Sequence, residues 1–199
     1  MNSGSAGRAA LRQRLRRLRR DLPPAARRAA EVAVARLIQR AFNLRPGLRI
    51  AVYAPLRGEL DPAALVRLAQ RHRCRLYVPH LMDLRRRRMQ FVEARGPMRR
   101  NALGILEPVE LRRLSTRSLD LVFVPLVGFD ATGARLGMGA GYYDRAFAFL
   151  RLRRYWFHPR LIGVAYSIQQ VPHIEHLAHD VRLHRVVTEK GVIKCSTGY

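Results

Sequence analysis

VPLVGFDATGARLGMGAGYYDR, residues 124–145, decides how the rest of the chain is read. The apolar run from Leu121 to Val127 has the length and composition of a buried strand, and it breaks at Gly128. Gly133, Gly137, Gly139 and Gly141 follow, and Tyr142-Tyr143-Asp144-Arg145 opens a predicted helix. Strand, glycine-rich loop and helix start make an arrangement in which backbone N–H groups and a helix dipole converge on phosphate. Glycine at Gly137-x-Gly139-x-Gly141 lets the backbone approach a ligand where a side chain would clash. The spacing is not the dinucleotide fingerprint, and no Gly-Lys-Ser/Thr follows to make a P-loop. Arg135 adds a fixed cation, and Asp144 adds a carboxylate able to ligate a metal. Taken alone, the glycines also fit a tight structural loop.

Working outward, residues 8–20 form a predicted basic helix with Leu11, Leu15 and Leu18 on one face, and residues 1–7 are expected to be disordered. Pro23-Pro24 starts a second helix with Val32, Leu37, Ile38 and Phe42 as its apolar stripe. Residues 48–54 read as the first strand. Asp61-Pro62 is an N-cap with proline at the first helical position, opening a helix over 62–72. Strands are predicted at 76–79 and 89–92, separated by an exposed turn at Arg85–Arg88. Residues 95–108 read as loop, and 110–117 as a short helix. Beyond the glycine loop come a helix over 142–154 and strands over 161–165 and 186–188, the last expected in the chain. Strands alternating with helices predict α/β layers around a mostly parallel sheet, with residues 1–199 as one domain.

The chain of 199 residues carries a net charge of +24, almost wholly from arginine, since Lys190 and Lys194 are its only lysines. Such a charge suits nucleic acid, a nucleotide or a polyglutamate tail, or simply covers solvated faces. RNP, KH, helix-turn-helix and zinc-finger signatures are missing, so no specific nucleic-acid partner is expected. Cys74 and Cys195 are too few for a disulfide framework and fit a reducing cytoplasm. No run of about 18 apolar residues is present, so no membrane span is expected. The N-terminus lacks the apolar core of a secretory signal, and the absence of acidic residues before Asp21 leaves a mitochondrial presequence as the alternative to a cytoplasmic location. His173, His176 and His179 are spaced three apart, but no cysteine or carboxylate completes a zinc set with them.

With its flanks the loop becomes a long string: Gly128-Phe129-Asp130, then Arg135-Leu136-Gly137-x-Gly139-x-Gly141-Tyr142-Tyr143-Asp144-Arg145. It resembles the 5-formyltetrahydrofolate cyclo-ligase family, the methenyltetrahydrofolate synthetases. The basic first helix, Glu59-Leu60-Asp61, Gly104 to Pro108, His179-Asp180 and Thr188-Glu189 resemble further elements of that family, so the likeness spans nearly the whole chain. It implies a three-layer α/β/α domain with a mostly parallel sheet of the NagB/RpiA/CoA-transferase type. It also implies ATP-driven closure of 5-formyltetrahydrofolate, free or polyglutamylated, to 5,10-methenyltetrahydrofolate with release of ADP and phosphate. The implied route runs through a phosphorylated formyl oxygen, on a protein expected to be a monomer.

Residue by residue, the resemblance puts nucleotide contacts at Arg8 and Arg12 and the phosphate loop at Arg135, Gly137, Met138, Gly139, Ala140 and Gly141. Arg135 and Asp144 carry the catalytic roles, Asp144 and Asp180 hold Mg²⁺, and Ala54, Glu59, Tyr142 and Tyr143 bind the folate. The competing readings are a solvated basic helix for Arg8 and Arg12, a turn glutamate for Glu59, a surface aspartate for Asp180, and a core position for one of the tyrosines. The chain departs from the family at Ala140, where many members place a phosphate-contacting lysine. It departs again at Arg8, which replaces a lysine, and near Leu103, where a folate-stacking aromatic is absent. A catalytically impaired folate- or nucleotide-binding protein and a basic nucleic-acid-binding protein are the alternative functions.

Overall fold

Short apolar runs buried on both faces build the central strands, and apolar stripes at helical spacing build helices against them. A computed structural model describes residues 3–83, 85–100, 106–155 and 158–196. Two helices come first, α1 (Ser3–Arg20) and α2 (Pro24–Ala41). β1 (Arg49–Ala51), α3 (Ala63–Arg71) and β2 (Arg75–Asp83) follow, then β3 (Arg88–Glu93), β4 (Met98–Arg100), β5 (Leu106–Pro108) and β6 (Arg113–Leu114). β7 (Leu121–Pro125) leads into the short strands β8 (Gly128–Phe129) and β9 (Arg135–Leu136), and then α4 (Tyr142–Ala146). β10 (Arg160–Val164), β11 (Arg185–Thr188) and β12 (Gly191–Lys194) complete the order.

Eight strands form one sheet in the order β12-β11-β10-β7-β1-β2-β3-β6. The five from β11 to β2 run parallel, and β12, β3 and β6 pair antiparallel. Ile50, Phe123, Ile162 and Val187 point to the face covered by Val34 and Ile38 of α2 and Leu65 and Leu68 of α3. Ala51, Val122, Val124, Leu161 and Val186 point the other way, onto Phe147 and Leu150. Each such side chain taken fully from water contributes roughly 1.5–3 kcal/mol, so the two faces carry most of the fold. The result is the expected α/β architecture with a mostly parallel sheet.

The strand order sets the site. From β1 the chain crosses through α3 to β2 on one side, whereas from β7 it passes to β10 and β11 on the other. β1 and β7 are neighbours, with Ile50 opposite Leu121. Their carboxyl ends therefore flank the point where the winding reverses, where an open α/β sheet leaves a crevice.

Several local expectations are corrected. The first helix starts at Ser3, so the segment 1–7 is largely helical, with residues 1–2 outside the described set. On α1, Leu18 is 45% exposed while Arg19 is 2% exposed, so the buried face contains Leu15 and Arg19. On α2 the buried residues are Ala30, Val34, Ala35 and Ile38, and Val32 is exposed. The short helix expected over 110–117 is instead the edge strand β6 and a 3-10 turn at Thr116–Ser118. The helix expected over 142–154 ends after Ala146, and Ala148–Tyr155 continues as 3-10 turns. Phe147 breaks it, because its buried ring is drawn onto Phe91, 5.7 Å away, and Tyr143, 6.3 Å away. Residues 95–108 include the β4–β5 ribbon, and β12 pairs back onto β11 beyond the strand expected to be last.

Candidate active site

A cavity of about 1060 Å³ opens at the crevice between β1 and β7. Tyr53 and Ala54, just past β1, and Pro125 and Leu126, at the end of β7, form its floor. Pro79, Leu81 and Met89, from β2 and β3, supply an apolar wall. The expected contacts Arg8, Arg12, Ala54, Glu59, Arg135, Gly137, Met138, Gly139, Ala140, Gly141, Tyr142, Tyr143, Asp144 and Asp180 all line this one space. Residues far apart in sequence are thus brought together.

The glycine-loop wall is held from beneath by Asp130, which is fully buried. Its Oδ1 accepts hydrogen bonds from the Thr132 amide (2.9 Å), the Thr132 hydroxyl (2.7 Å) and the Ala134 amide (3.1 Å). Its Oδ2 accepts from the Ile174 amide at 2.9 Å, tying the loop to the segment that carries Asp180. A buried carboxylate surrounded by donors is stable because each lone pair replaces a lost water. Beneath this turn, β8 and β9 form a two-stranded ribbon, which the strand–loop–helix reading did not include. Gly139 adopts φ +98°, a conformation open to glycine and costly for other residues. The Arg12 guanidinium lies close to it, and Arg12 Nε donates to the Gly137 carbonyl at 2.8 Å. Partial burial and the neighbouring Arg8 and Arg16 charges lower the Arg12 pKa. α4 has only five residues and starts at left-handed Gly141, so its dipole is short and the anion-attracting parts of this wall are side-chain cations and loop amides.

Arg135 is 6% exposed. Its Nη2 donates to Asp144 Oδ1 at 2.6 Å, and its Nη1 donates to the Val181 carbonyl. Asp144 Oδ1 also accepts the Val181 amide at 3.0 Å. The positive charge of Arg135 therefore reaches the cavity beside a carboxylate rather than alone. Asp180 Oδ2 accepts from Arg8 Nη1 at 3.2 Å and from the Leu177 amide at 3.0 Å, while Arg8 also donates to the Glu175 carbonyl. In each aspartate one oxygen is held by hydrogen bonds; the other accepts none among the described residues, although His179 Nε2 lies 3.8 Å from Asp180 Oδ1. That is a fit for Mg²⁺, which takes one or two carboxylates and completes its shell with phosphate and water. No group of three or more His, Cys, Asp or Glu able to hold a metal occurs among the described residues, and His173, His176 and His179 lie on a non-helical segment.

Glu59 is 9% exposed and faces the same cavity from the loop after β1. Its Oε2 accepts the Leu56 amide at 3.0 Å, and its Oε1 lies 3.6 Å from Arg19 Nη1. Burial raises its pKa, and the Leu56 N–H and Arg19 act against that rise. Burial also pushes the Tyr143 phenol well up, with Glu59 adding to the shift, so its hydroxyl stays a donor. Tyr143 both lines the cavity and stacks on Phe147, so it faces the cavity and packs against the core at once. Arg19 was missed by the sequence reading, which grouped it with the solvated arginines. The spacing 8, 12, 15, 19 was the available signal, because steps of four, three and four keep one helical face. Asp130 was quoted only as part of a motif. Leu103 and Gly104 lie outside the described residues.

The model of the "5-formyltetrahydrofolate cyclo-ligase family" matches residues 4–189. The chain is 32% identical to the 5-formyltetrahydrofolate cyclo-ligase of Haemophilus influenzae over 186 residues, covering 89% of this chain and 95% of that one. It is 33% identical to the Escherichia coli K12 cyclo-ligase over 149 residues, covering 72% and 79%. Among solved structures, the NMR structure of Aquifex aeolicus 5,10-methenyltetrahydrofolate synthetase superposes with a TM-score of 0.80 at 28% identity, over 96% of this chain and 94% of that one. With the family model matched almost end to end and a relative aligned along nearly its full length, this chain belongs to the 5-formyltetrahydrofolate cyclo-ligase family.

Proposed function

We propose that the protein closes 5-formyltetrahydrofolate to 5,10-methenyltetrahydrofolate at the expense of ATP, releasing ADP and phosphate. The observation that carries this reading is the convergence of the nominated nucleotide, folate and metal positions on one cavity of about 1060 Å³. That volume is at the upper end of single-ligand pockets, roughly 300–1,000 Å³, and suits two ligands meeting end to end.

In the proposed reaction the formyl oxygen attacks the γ-phosphorus of ATP, and the bond to the β-phosphate oxygen breaks, leaving ADP. The oxygen, now a phosphate ester, is a competent leaving group. N10 attacks the formyl carbon, inorganic phosphate departs with that oxygen, and the N10 proton is lost. Phosphoryl transfer of this kind depends on alignment and charge neutralisation. Arg8, Arg12 and the amides of Gly137 to Gly141 supply these at the phosphates. Arg135 braces Asp144. Mg²⁺, held by Asp144 and Asp180, would neutralise phosphate charge there. Glu59 accepts N–H donors of the pterin, and Tyr142 and Tyr143 flank its ring beside the apolar wall. Because the site is complete within one chain, we read the active form as a monomer. A cytoplasmic location is supported by the free thiols of Cys74 and Cys195, and no helix among the described residues is long and apolar enough to cross a membrane.

Incubation with ATP, Mg²⁺ and 5-formyltetrahydrofolate should generate the methenyl absorbance, and Asp144→Asn should lower turnover by about 100-fold or more while thermal unfolding stays cooperative. Folded protein that forms no methenyl product sinks the reading. Ala140 favours one rival, a binder without catalysis, because its own side chain carries no charge, although Arg145 donates to its carbonyl. Calorimetric binding of both ligands without turnover would identify that rival.

A further inference from the structure

We propose that Arg19 is a positioning residue that holds the Glu59 carboxylate ionised and aimed into the cavity, an inference that rests on the folate reading of that cavity. Arg19 is 2% exposed and does not line the cavity, whereas Glu59 does. The guanidinium stands behind the carboxylate, with Nη1 3.6 Å from Glu59 Oε1 and 3.3 Å from the Leu126 carbonyl. Leu126 lines the cavity at the end of β7, and its carbonyl also accepts Gln169 Nε2 at 2.7 Å. Arg19 thus joins the loop after β1 to the end of β7 across the point where the sheet reverses its winding.

The helix end that presents Arg19 is itself tied down. Arg27 donates to the carbonyls of Arg19 (3.2 Å), Arg20 (2.5 Å) and Leu22 (3.0 Å). Leu15, a turn earlier, is buried against Gly128, where an added Cβ would lie 2.4 Å from its Cδ1. One cost remains in the arrangement: Arg19 Nε is buried without a hydrogen-bond partner among the described residues. A guanidinium left partly unsatisfied in the interior is destabilising unless its charge is used, and Glu59 is the carboxylate paired with it.

The pairing geometry leaves Glu59 able to act. Oε2 is fixed by the Leu56 amide, and at 3.6 Å the guanidinium neutralises Oε1 without a short hydrogen bond that would consume its lone pairs. The carboxylate therefore keeps acceptor capacity toward the cavity. The other charged or titratable groups facing the pair are Tyr53 after β1, Tyr143 of α4, Tyr166 after β10 and Arg16 of α1. Burial raises the pKa of each of these phenols, so they stay neutral across the useful range and cannot replace the Arg19 charge. Burial also raises the Glu59 pKa, and Arg19 opposes that rise. Without Arg19 the carboxyl protonates at a higher pH, and as pH falls through that point it loses its charge and accepts the substrate's N–H groups more weakly.

The test compares Arg19→Met and Arg19→Lys with the wild type. The Glu59 carboxyl is titrated by carbon NMR, assigned through Glu59→Gln, and KM for 5-formyltetrahydrofolate and for ATP is measured across pH. Arg19→Met should move the Glu59 titration point upward and raise KM for the folate severalfold, with the rise growing as pH falls toward that point. KM for ATP should change less than about threefold, and Arg19→Lys should restore part of both effects. An unchanged Glu59 titration in Arg19→Met, or equal losses for both substrates, overturns the proposal. Should Arg19→Met not fold, Arg19→Lys must show the same changes in smaller measure or the proposal fails. The carboxyl titration needs no substrate, so a wild type that makes no methenyl product would overturn the functional reading while Arg19 is still decided.

Discussion

Two walls face each other across the cavity, the glycine loop of residues 128–144 and the helix α1, and both bring cations to it by different means. The loop is fastened mainly through backbone groups: Asp130 accepts from Thr132 and Ala134 within its own turn and from the distant Ile174 amide, and the Val127 N–H donates to the Leu136 carbonyl at 2.7 Å. The helix is fastened at long range by arginine side chains, Arg8 to Asp180, Arg12 to the Gly137 carbonyl and Arg19 to Glu59, with Leu15 set against Gly128. A wall held by its own backbone is stiff before any ligand arrives. A wall held by charged side chains depends on pairs made with other elements, and two of its arginines, Arg8 and Arg12, also line the cavity.

Three variants would break or sharpen that contrast. The largest effect is expected from Asp130→Ala, which orphans the buried amides of Ala134 and Ile174 along with the local turn. It should cost about 3 kcal/mol in urea unfolding, and a loss below about 1 kcal/mol would show that the loop does not depend on this carboxylate. Next, Gly128→Ala puts a Cβ against Leu15 and should cost about 1–2 kcal/mol. In a Leu15→Ala background that cost should shrink, a coupling seen as non-additivity in a double-mutant cycle. Additive losses would mean that α1 is not seated by shape. The smallest stability change belongs to Arg8→Gln. Its partly exposed pair with Asp180 should contribute within about 1 kcal/mol. KM for ATP should nonetheless rise severalfold in steady-state assays, and an unchanged KM would remove Arg8 from the nucleotide site.

The legible parts of the fold were those governed by short-range pattern. Leu121 to Val127 read as a buried strand because the run is apolar throughout, whereas α3 starts one residue later than Asp61-Pro62 implied, with Pro62 as its N-cap and Asp61 Oδ1 accepting the Ala63 amide at 2.8 Å. Residues 142–154 misled because their helical periodicity is real, yet burying Phe147 against Phe91 outweighs one more turn of helix. Residues 110–117 misled similarly, since β6 exists only by pairing Phe91 with Leu114 and Val92 with Arg113. At the site, the glycine string and its flanking arginine and aspartate identified the loop wall. Arg19 stayed hidden because the 8, 12, 15, 19 face competes with the equally spaced Leu11, Leu15 and Leu18 face, and only packing against the rest of the chain turned Arg19 inward and Leu18 outward.

What the sequence by itself determined was the alternation of strands and helices, the glycine loop, the family, and the residue types brought to the cavity. These follow from local conformational preference and from a specific string of residues. Only the tertiary structure decided which face of α1 turns inward, that β1 and β7 lie side by side to open the crevice, and that Arg19 stands behind Glu59. Those outcomes depend on desolvation and pairing between groups far apart in the chain, and that free energy belongs to no short window of sequence.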